Sequence, residues 1–344
     1  MKIKKGFFNN SIILITGGTG SWGHELVSQL LFKYKDLKEI RIYSRGEHKQ
    51  VEMRQEFKNN PILKFIIGDI RDKNILGLAM KNVDYVFHLA ALKHVPVCEE
   101  NSWEAVLTNI VGTQNVIESA ILNKVKKVID ISTDKAVDPF NLYGVTKACG
   151  EKLMINANFN YSISNTITSF ICIRGGNVIG TNGSVIPLFK KQLLAFNEIT
   201  ITNPEMTRFL MSTKQAIGLI FTAVENSLGG ELFVMKMPAT NLKIIAESMI
   251  DLFGNKKSKI KLIGQRPGEK VDEVLVSRNE VVSSYEFSDN YFVILPQIKQ
   301  DNLYKKYRKF KKVNLNEFSS KNTTQLTQSD LINILKKEAW LWKK

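Results

Sequence analysis

A glycine-rich segment near the start of the chain restricts the fold more than any other feature. Its glycines follow a short β-branched run and precede a helical pattern that begins at Ser21. This strand, loop and helix arrangement lets backbone N–H groups approach a pyrophosphate at the N-terminus of the helix. We therefore expect a dinucleotide cofactor to contact Gly17, Thr19, Gly20, Ser21, Trp22 and Gly23.

Apolar runs alternate with helical patterns through the first half of the chain. We predict strands at 11–16, 39–43, 63–67, 85–89, 126–132 and 166–173, and helices at 21–32, 99–122 and 141–158. Such alternation predicts an α/β fold with a doubly wound parallel Rossmann sheet and a smaller C-terminal substrate-binding domain. We assign 1–174 to the Rossmann domain, with 210–236 returning to it, and 175–209 and 237–344 to the substrate-binding domain. A glycine-rich stretch at 174–180 marks the point where the chain passes from the Rossmann domain into the substrate-binding domain.

The turn after the second strand indicates which dinucleotide binds. An acidic side chain there would bind the ribose 2′-hydroxyl of NAD, whereas this chain has Ser44 and Arg45, and arginine suits a 2′-phosphate. We therefore expect NADP, unless Arg45 is a surface charge and Glu47 supplies the carboxylate. Further cofactor contacts are expected from Lys49, Asp69, Ile70, Ala90, Ala91 and Lys93.

A cluster of reactive side chains follows the fifth predicted strand. Tyr143 and Lys147 are four residues apart in a helical pattern, so both lie on one face. The Lys147 ammonium would lower the pKa of the Tyr143 phenol, which suits general-base chemistry while a nicotinamide moves a hydride. With Thr133 they form a dehydrogenase-type site. Asp134 and Lys135 add an acid and a base that alcohol oxidation does not require.

Composition excludes several other classes. Cys98, Cys149 and Cys172 are far apart, so neither a disulfide framework nor a zinc site is supported, and we expect no metal. The chain has no apolar run long enough to span a membrane and no signal region, so we expect a cytoplasmic protein. Its net charge of +15 is concentrated late, at 305–312 and 336–344. Because lysine is abundant throughout the chain, we attribute this positive charge to a compositional bias. We therefore expect no nucleic-acid partner.

Taken together, the motifs resemble the extended short-chain dehydrogenase/reductases. Within them, the chain is similar to soluble UDP-N-acetylglucosamine 4,6-dehydratases of bacterial surface-glycan pathways. The resemblance rests on the segments 16–21, 43–45, 68–72, 90–96, 132–136, 141–144, 183–187 and 266–270. It implies a tightly bound, recycled NADP and a homo-oligomer built from dimers, with a hexamer as one arrangement. It also implies that the UDP-sugar contacts Lys93, Asn177, Val185, Arg208, Arg266 and Glu269.

The resemblance further assigns roles in a C5-inverting dehydration. Tyr143 would be the base for oxidation at C4, Lys135 the base at C5, and Asp134 the acid for the 6-hydroxyl. For these roles Asp134 must be protonated and Lys135 neutral, which burial favours, and in extended backbone the two side chains would address different carbons. Gly175 stands where relatives usually have an aromatic residue, so the sugar contacts differ there.

Two other functions stay open. A nucleotide-sugar 4-epimerase would use Tyr143 and Lys147 without Asp134 or Lys135. A non-catalytic NADP-sensing protein would need only the glycine loop, and the intact Thr133, Tyr143 and Lys147 argue against it.

Overall fold

The computed structural model describes residues 6–160, 168–181, 183–265, 268–298 and 300–342. The strands are β1 (Ile12–Thr16), β2 (Glu39–Ser44), β3 (Leu63–Ile67), β4 (Tyr85–His88), β5 (Lys127–Thr133), β6 (Ser169–Gly175), β7 (Asn177–Val178), β8 (Glu198–Ile201), β9 (Thr207–Met211), β10 (Leu232–Met235), β11 (Ala239–Asn241), β12 (Lys259–Leu262), β13 (Val274–Val276), β14 (Ser284–Ser288), β15 (Tyr291–Ile294) and β16 (Phe318–Ser319).

The helices are α1 (Ser21–Lys33), α2 (Glu47–Glu56), α3 (Lys73–Ala79), α4 (Val95–Glu100), α5 (Ser102–Val106), α6 (Gly112–Leu122), α7 (Leu142–Asn160), α8 (Val185–Phe196), α9 (Thr213–Asn226), α10 (Leu242–Phe253), α11 (Arg278–Val281), α12 (Asp301–Tyr307) and α13 (Gln328–Lys336). A π-helical turn spans Leu107–Val111, and 3₁₀ turns span Asp134–Ala136 and Ala339–Trp342. Across the described ranges, we find no helix that is both long and apolar enough to cross a membrane.

A nine-stranded sheet forms the centre of the molecule, in the order β14-β15-β10-β6-β5-β4-β1-β2-β3. The strands from β3 to β10 are parallel, and the β14–β15 hairpin adds to β10 in antiparallel fashion. The order from β3 to β6 is that of a doubly wound dinucleotide-binding sheet. The predicted fold class is therefore confirmed, and the carboxyl ends of β1, β4 and β5 meet at one edge where a ligand can bind.

Burial explains why apolar runs form the parallel strands. All five residues of β1 are buried, as are all four of β4, because helices cover both faces of the sheet. Helix α1 packs against α9, while α6 contacts both α3 and α7.

A second, smaller core lies around α8, α10 and α13 with the parallel pair β8 and β12. Its centre contains Ile186, Phe189, Ile245, Met249 and Leu331, all buried. Strand β7 follows β6 directly in the sequence and belongs to a three-stranded sheet with the order β11-β9-β7. The chain passes between the two cores through this sheet. The predicted division into domains remains a prediction. Residues 284–294 belong to the predicted substrate-binding domain. In the structure, they form two strands of the large sheet.

Several local predictions were wrong. The predicted helix 99–122 is broken at Asn101, whose backbone is non-helical, and contains the π-helical turn. Strand β6 continues through Arg174 and Gly175, because these residues pair with Ser132 and Thr133 of β5.

Candidate active site

A single cleft of about 1150 Å³ runs along the carboxyl edge of the large sheet and reaches the smaller core. It brings together residues that are far apart in the sequence. The predicted site residues that line it are Gly17, Thr19, Gly20, Ser21, Trp22, Gly23, Ser44, Arg45, Lys49, Asp69, Ile70, Ala90, Ala91, Lys93, Thr133, Lys135, Tyr143, Lys147, Asn177, Val185, Arg208 and Glu269. Asp134 is buried beside them, and Arg266 lies outside the described residues.

The glycine loop has the close packing that a dinucleotide site requires. Gly17 has a φ of +66°, and a Cβ there would lie 2.8 Å from the backbone of Ala90. A Cβ on Gly23 would lie 2.0 Å from the carbonyl oxygen of Gly18. Gly20 precedes α1 without a side-chain cap, and the first residues of this helix, Ser21, Trp22 and Gly23, line the cleft. The loop therefore fits a pyrophosphate.

Positive side chains lie where the second strand ends. Arg45 is 56% exposed, and its Nη1 lies 3.8 Å from Oδ2 of Asp69. Arg71 also binds Asp69, through Nε at 2.8 Å and Nη2 at 2.6 Å, so this carboxylate is already neutralised. The cleft lining includes Arg45 and Lys49 but not Glu47, which lies exposed in the first turn of α2.

Tyr143 and Lys147 lie on the cleft-facing side of α7, and both are buried. Burial raises the pKa of the Tyr143 phenol, and this outweighs the opposing effects of the Lys147 charge and of a hydrogen bond with Thr133. The expectation of a lowered pKa was therefore wrong for the protein without ligands. The lysine acts in the expected direction, but desolvation of the phenolate is larger.

Asp134 and Lys135 do not adopt the expected extended backbone. They form a 3₁₀ turn, in which Lys135 Nζ lies 3.0 Å from Asp134 Oδ1 and the two side chains meet. Thr133 Oγ1 donates to the same Asp134 oxygen at 2.8 Å. The acid, the base and the hydroxyl that contacts Tyr143 are thus joined in one hydrogen-bonded group.

Glu273 belongs to this group, and the sequence analysis missed it. Its Oε1 lies 3.3 Å from Lys135 Nζ and 3.8 Å from Arg208 Nε, and its side chain is 3% exposed. Among the residues that the structure describes, Glu273 Oε2 and Asp134 Oδ2 are buried without a hydrogen-bond partner. No signal in the sequence linked Glu273 to Lys135, because their contact depends on how the 268–276 segment folds back.

These contacts decide the resting charge of Lys135. Burial lowers the pKa of its ammonium, but the carboxylates of Asp134 and Glu273 raise it by more, so the net pKa is raised. The expected neutral pair is therefore wrong for the resting protein, in which Lys135 is an ammonium.

Contacts between distant segments fix the substrate side of the cleft. Asn141 Nδ2 donates to the Gly268 carbonyl at 2.9 Å, and Lys270 Nζ donates to the carbonyls of Val137 and Asp138. The segment that carries Glu269 and Glu273 is thereby held against the start of α7. Gly175 is closely surrounded, since a Cβ there would lie 3.3 Å from Met211 and 3.5 Å from Trp22.

Asn109 supports the site from behind. Its amide accepts from Leu92 N at 2.8 Å and donates to Leu92 O and to Thr146 Oγ1. All of these hydrogen-bond partners belong to the protein. The Asn109 side chain therefore links the loop after β4 to α7. Asn109 thus has the role of an interior hydrogen-bonding residue.

Known proteins share this arrangement. Residues 13–295 match the family described as polysaccharide biosynthesis protein. The chain belongs to this family. With its doubly wound sheet, it is an extended short-chain dehydrogenase/reductase that modifies nucleotide sugars, and the family expected from the sequence is confirmed. A nicotinamide cofactor fits the glycine loop of such an enzyme.

Individual relatives have different activities. A UDP-glucose 4-epimerase from Rickettsia bellii (strain OSU 85-389) is 46% identical over 333 residues, 95% of this chain and 96% of the relative. The structure of Pen from Bacillus thuringiensis is 39% identical, with a TM-score of 0.88 over 96% of this chain and 100% of that one. DesIV, a dTDP-glucose 4,6-dehydratase from Streptomyces venezuelae, has a TM-score of 0.68 at 22% identity, covering 76% and 86%, which is a likeness of fold.

Proposed function

We propose that the protein is a UDP-N-acetylglucosamine 4,6-dehydratase that inverts C5 and uses NADP, for surface-glycan synthesis. The observation that carries this proposal is the contact of Lys135 with Asp134 beside Tyr143. A bound nicotinamide would accept a hydride from C4 of the sugar and return it to C6. Oxidation at C4 makes the hydrogen at C5 acidic, so a base and an acid beside the sugar can eliminate water.

Tyr143 would accept the proton of the 4-hydroxyl. Thr133 hydrogen-bonds the phenol, and the Lys147 charge favours the phenolate. At rest, burial outweighs these two contacts and Tyr143 is a phenol. The positive charge of a bound oxidised nicotinamide would add to that of Lys147, and Tyr143 could then act as a general base.

Asp134 and Lys135 would perform the elimination. Transfer of one proton from the Lys135 ammonium to the Asp134 carboxylate, across 3.0 Å, produces a neutral amine and a carboxylic acid together. The amine removes the proton from C5, and the acid protonates the departing 6-hydroxyl, which leaves as water. The ammonium and the carboxylate are thereby restored. When the hydride returns to C6, C5 would take up a proton that derives from solvent, on the face opposite to the one that lost its hydrogen, which inverts C5.

NADP is supported by the position of Arg45 and Lys49 in the cleft lining. Arginine can hold a 2′-phosphate by paired hydrogen bonds. The UDP part of the substrate would contact Asn177, Arg208 and Glu269, and by the family resemblance also Arg266. A cytoplasmic location and a dimer-based homo-oligomer remain predictions, and exposed apolar side chains at Trp103, Val111 and Val145 favour self-association.

A 4-epimerase is the second candidate, favoured by the name of the Rickettsia relatives. Both reactions begin with oxidation at C4, but an epimerase has no use for an acid and a base at C5 and C6. Incubation with UDP-N-acetylglucosamine in D₂O, followed by proton NMR, separates them. The dehydratase proposal predicts deuterium at C5 and a new 6-deoxy methyl signal. A 4-epimer that retains the C5 hydrogen would overturn it, with Tyr143→Phe as the inactive control.

A further inference from the structure

A buried carboxylate that the reaction does not use lies directly beneath the catalytic helix. Asp130, in the middle of β5, is fully buried, and both of its carboxylate oxygens lie 3.4 Å from Nζ of Lys147. Lys147 is itself buried, with its side chain 4% exposed. A lysine in such a dry environment loses its proton unless an anion compensates the charge.

The other ionisable groups around Lys147 stabilise its charge less than Asp130 does. Glu151, on the same helix, is held by Arg174 through contacts at 2.6 and 3.0 Å. Burial raises the pKa of the Cys172 thiol on β6 well above its usual range, so this group is neutral. Tyr143 is a phenol at rest, because burial raises its pKa as well.

His88, on β4, does not compete for Asp130. Its Nε2 lies 4.0 Å from the carboxylate, whereas its two ring nitrogens lie 2.7 Å from Thr16 Oγ1 and 3.3 Å from Thr113 Oγ1. Burial lowers the pKa of His88 to about 4, so the ring is neutral at physiological pH. Lys147 is therefore the cation that faces Asp130.

We propose that Asp130 is a positioning residue that keeps Lys147 in its charged form beneath Tyr143. Lys147 can favour the Tyr143 phenolate only while it carries a proton. Asp130 would thus act on the oxidation at C4 through Lys147, without touching the substrate or the cofactor. This inference rests on the C4 oxidation of the proposed function and is independent of whether dehydration or epimerisation follows.

Asp130→Asn tests the inference, since asparagine keeps the shape and removes the charge. Without the anion, desolvation lowers the pKa of Lys147. In the variant, Lys147 would therefore be protonated at low pH and would lose its proton as the pH rises. We expect the ratio of wild-type to variant rates for reduction of the bound cofactor to grow at least about tenfold between roughly pH 6.5 and 9, within the range of general-base effects. Stopped-flow absorbance of the reduced nicotinamide, after mixing with UDP-N-acetylglucosamine, measures this rate.

Glu231→Gln is the matched control. Glu231 is also fully buried in a polar cluster, with Tyr307 and the Leu228 and Gly229 amides, but away from the cleft. Its rate ratio should not change with pH. A constant ratio for Asp130→Asn in a folded, cofactor-loaded variant would overturn the inference. If Asp130→Asn does not fold, Asp130→Ser, which removes the charge and leaves space for water, must give the same pH trend. A wild-type protein that never reduces its cofactor with UDP-sugars would instead overturn the proposed function.

Discussion

Lys135 Nζ lies 3.0 Å from Asp134 Oδ1 inside one 3₁₀ turn, so the base and acid of the proposed elimination are each other's partners. This contact gives the two residues a direct route for exchanging a proton. It also means that replacing Asp134 would remove one of the two carboxylates that raise the pKa of Lys135. Glu273, on the 268–276 segment, also contacts the Lys135 ammonium. The same Glu273 carboxylate contacts the guanidinium of Arg208.

Gly23→Ala should abolish cofactor binding. The added Cβ would lie 2.0 Å from the Gly18 carbonyl oxygen, so the loop or α1 must move. Gly77→Ala, in α3, is the control because its Cβ would meet nothing closer than 4.0 Å, and it should stabilise the helix by about 0.5–1 kcal/mol. Absorbance of the purified proteins measures bound dinucleotide, and thermal melting measures stability. Full cofactor content in Gly23→Ala would show that the loop does not hold the pyrophosphate.

Arg45→Glu should reverse or erase a preference for NADP over NAD. Loss of a charge-assisted contact costs about 1.5–3 kcal/mol, so the dissociation constant for NADP should rise at least about tenfold. Titration calorimetry with both dinucleotides measures the change. Glu47→Gln should leave both affinities unaltered, whereas weaker NAD binding in that variant would identify Glu47 as the ribose ligand.

Glu280→Gln should weaken the junction between the sheet and the C-terminal segment. Glu280 accepts two hydrogen bonds, both at 3.0 Å, from the buried Arg174. Burial raises the pKa of the Glu280 carboxyl, but the Arg174 charge and its hydrogen bonds lower it by more. A lowered pKa contributes stability above the unfolded-state value, and this contribution disappears as the pH falls through the folded-state value.

We therefore expect Glu280→Gln to lose about 1–3 kcal/mol of unfolding free energy near pH 7 and less near pH 4. Urea unfolding at the two pH values measures the loss. Glu52→Gln, which removes an exposed partner of His48, should change stability by less than about 0.5 kcal/mol at both. An equal loss for Glu280→Gln at both pH values would mean that its charge does not contribute.

The sequence predicted the parallel half of the fold well, because buried strands such as Ile12–Thr16 are continuous apolar runs with clear ends. It predicted the cleft lining for a similar reason, since each motif follows a strand whose carboxyl end reaches the same edge. It failed where contacts between distant segments decide the outcome. The pairing of Asp134 with Lys135, the position of Glu273 and the β14–β15 hairpin depend on packing that local patterns do not encode.

The measurement that tests the central claim most directly is a single-turnover comparison of Lys135→Ala with Tyr143→Phe in D₂O. Lys135→Ala should reduce the bound cofactor when UDP-N-acetylglucosamine is added, and then stall with little deuterium at C5 and no 6-deoxy product. Tyr143→Phe should leave the cofactor oxidised. The losses should be roughly 10² to 10⁴ in rate. Formation of 6-deoxy product by Lys135→Ala at the wild-type rate would contradict the account, because Lys135 and Asp134 would then be only a structural ion pair.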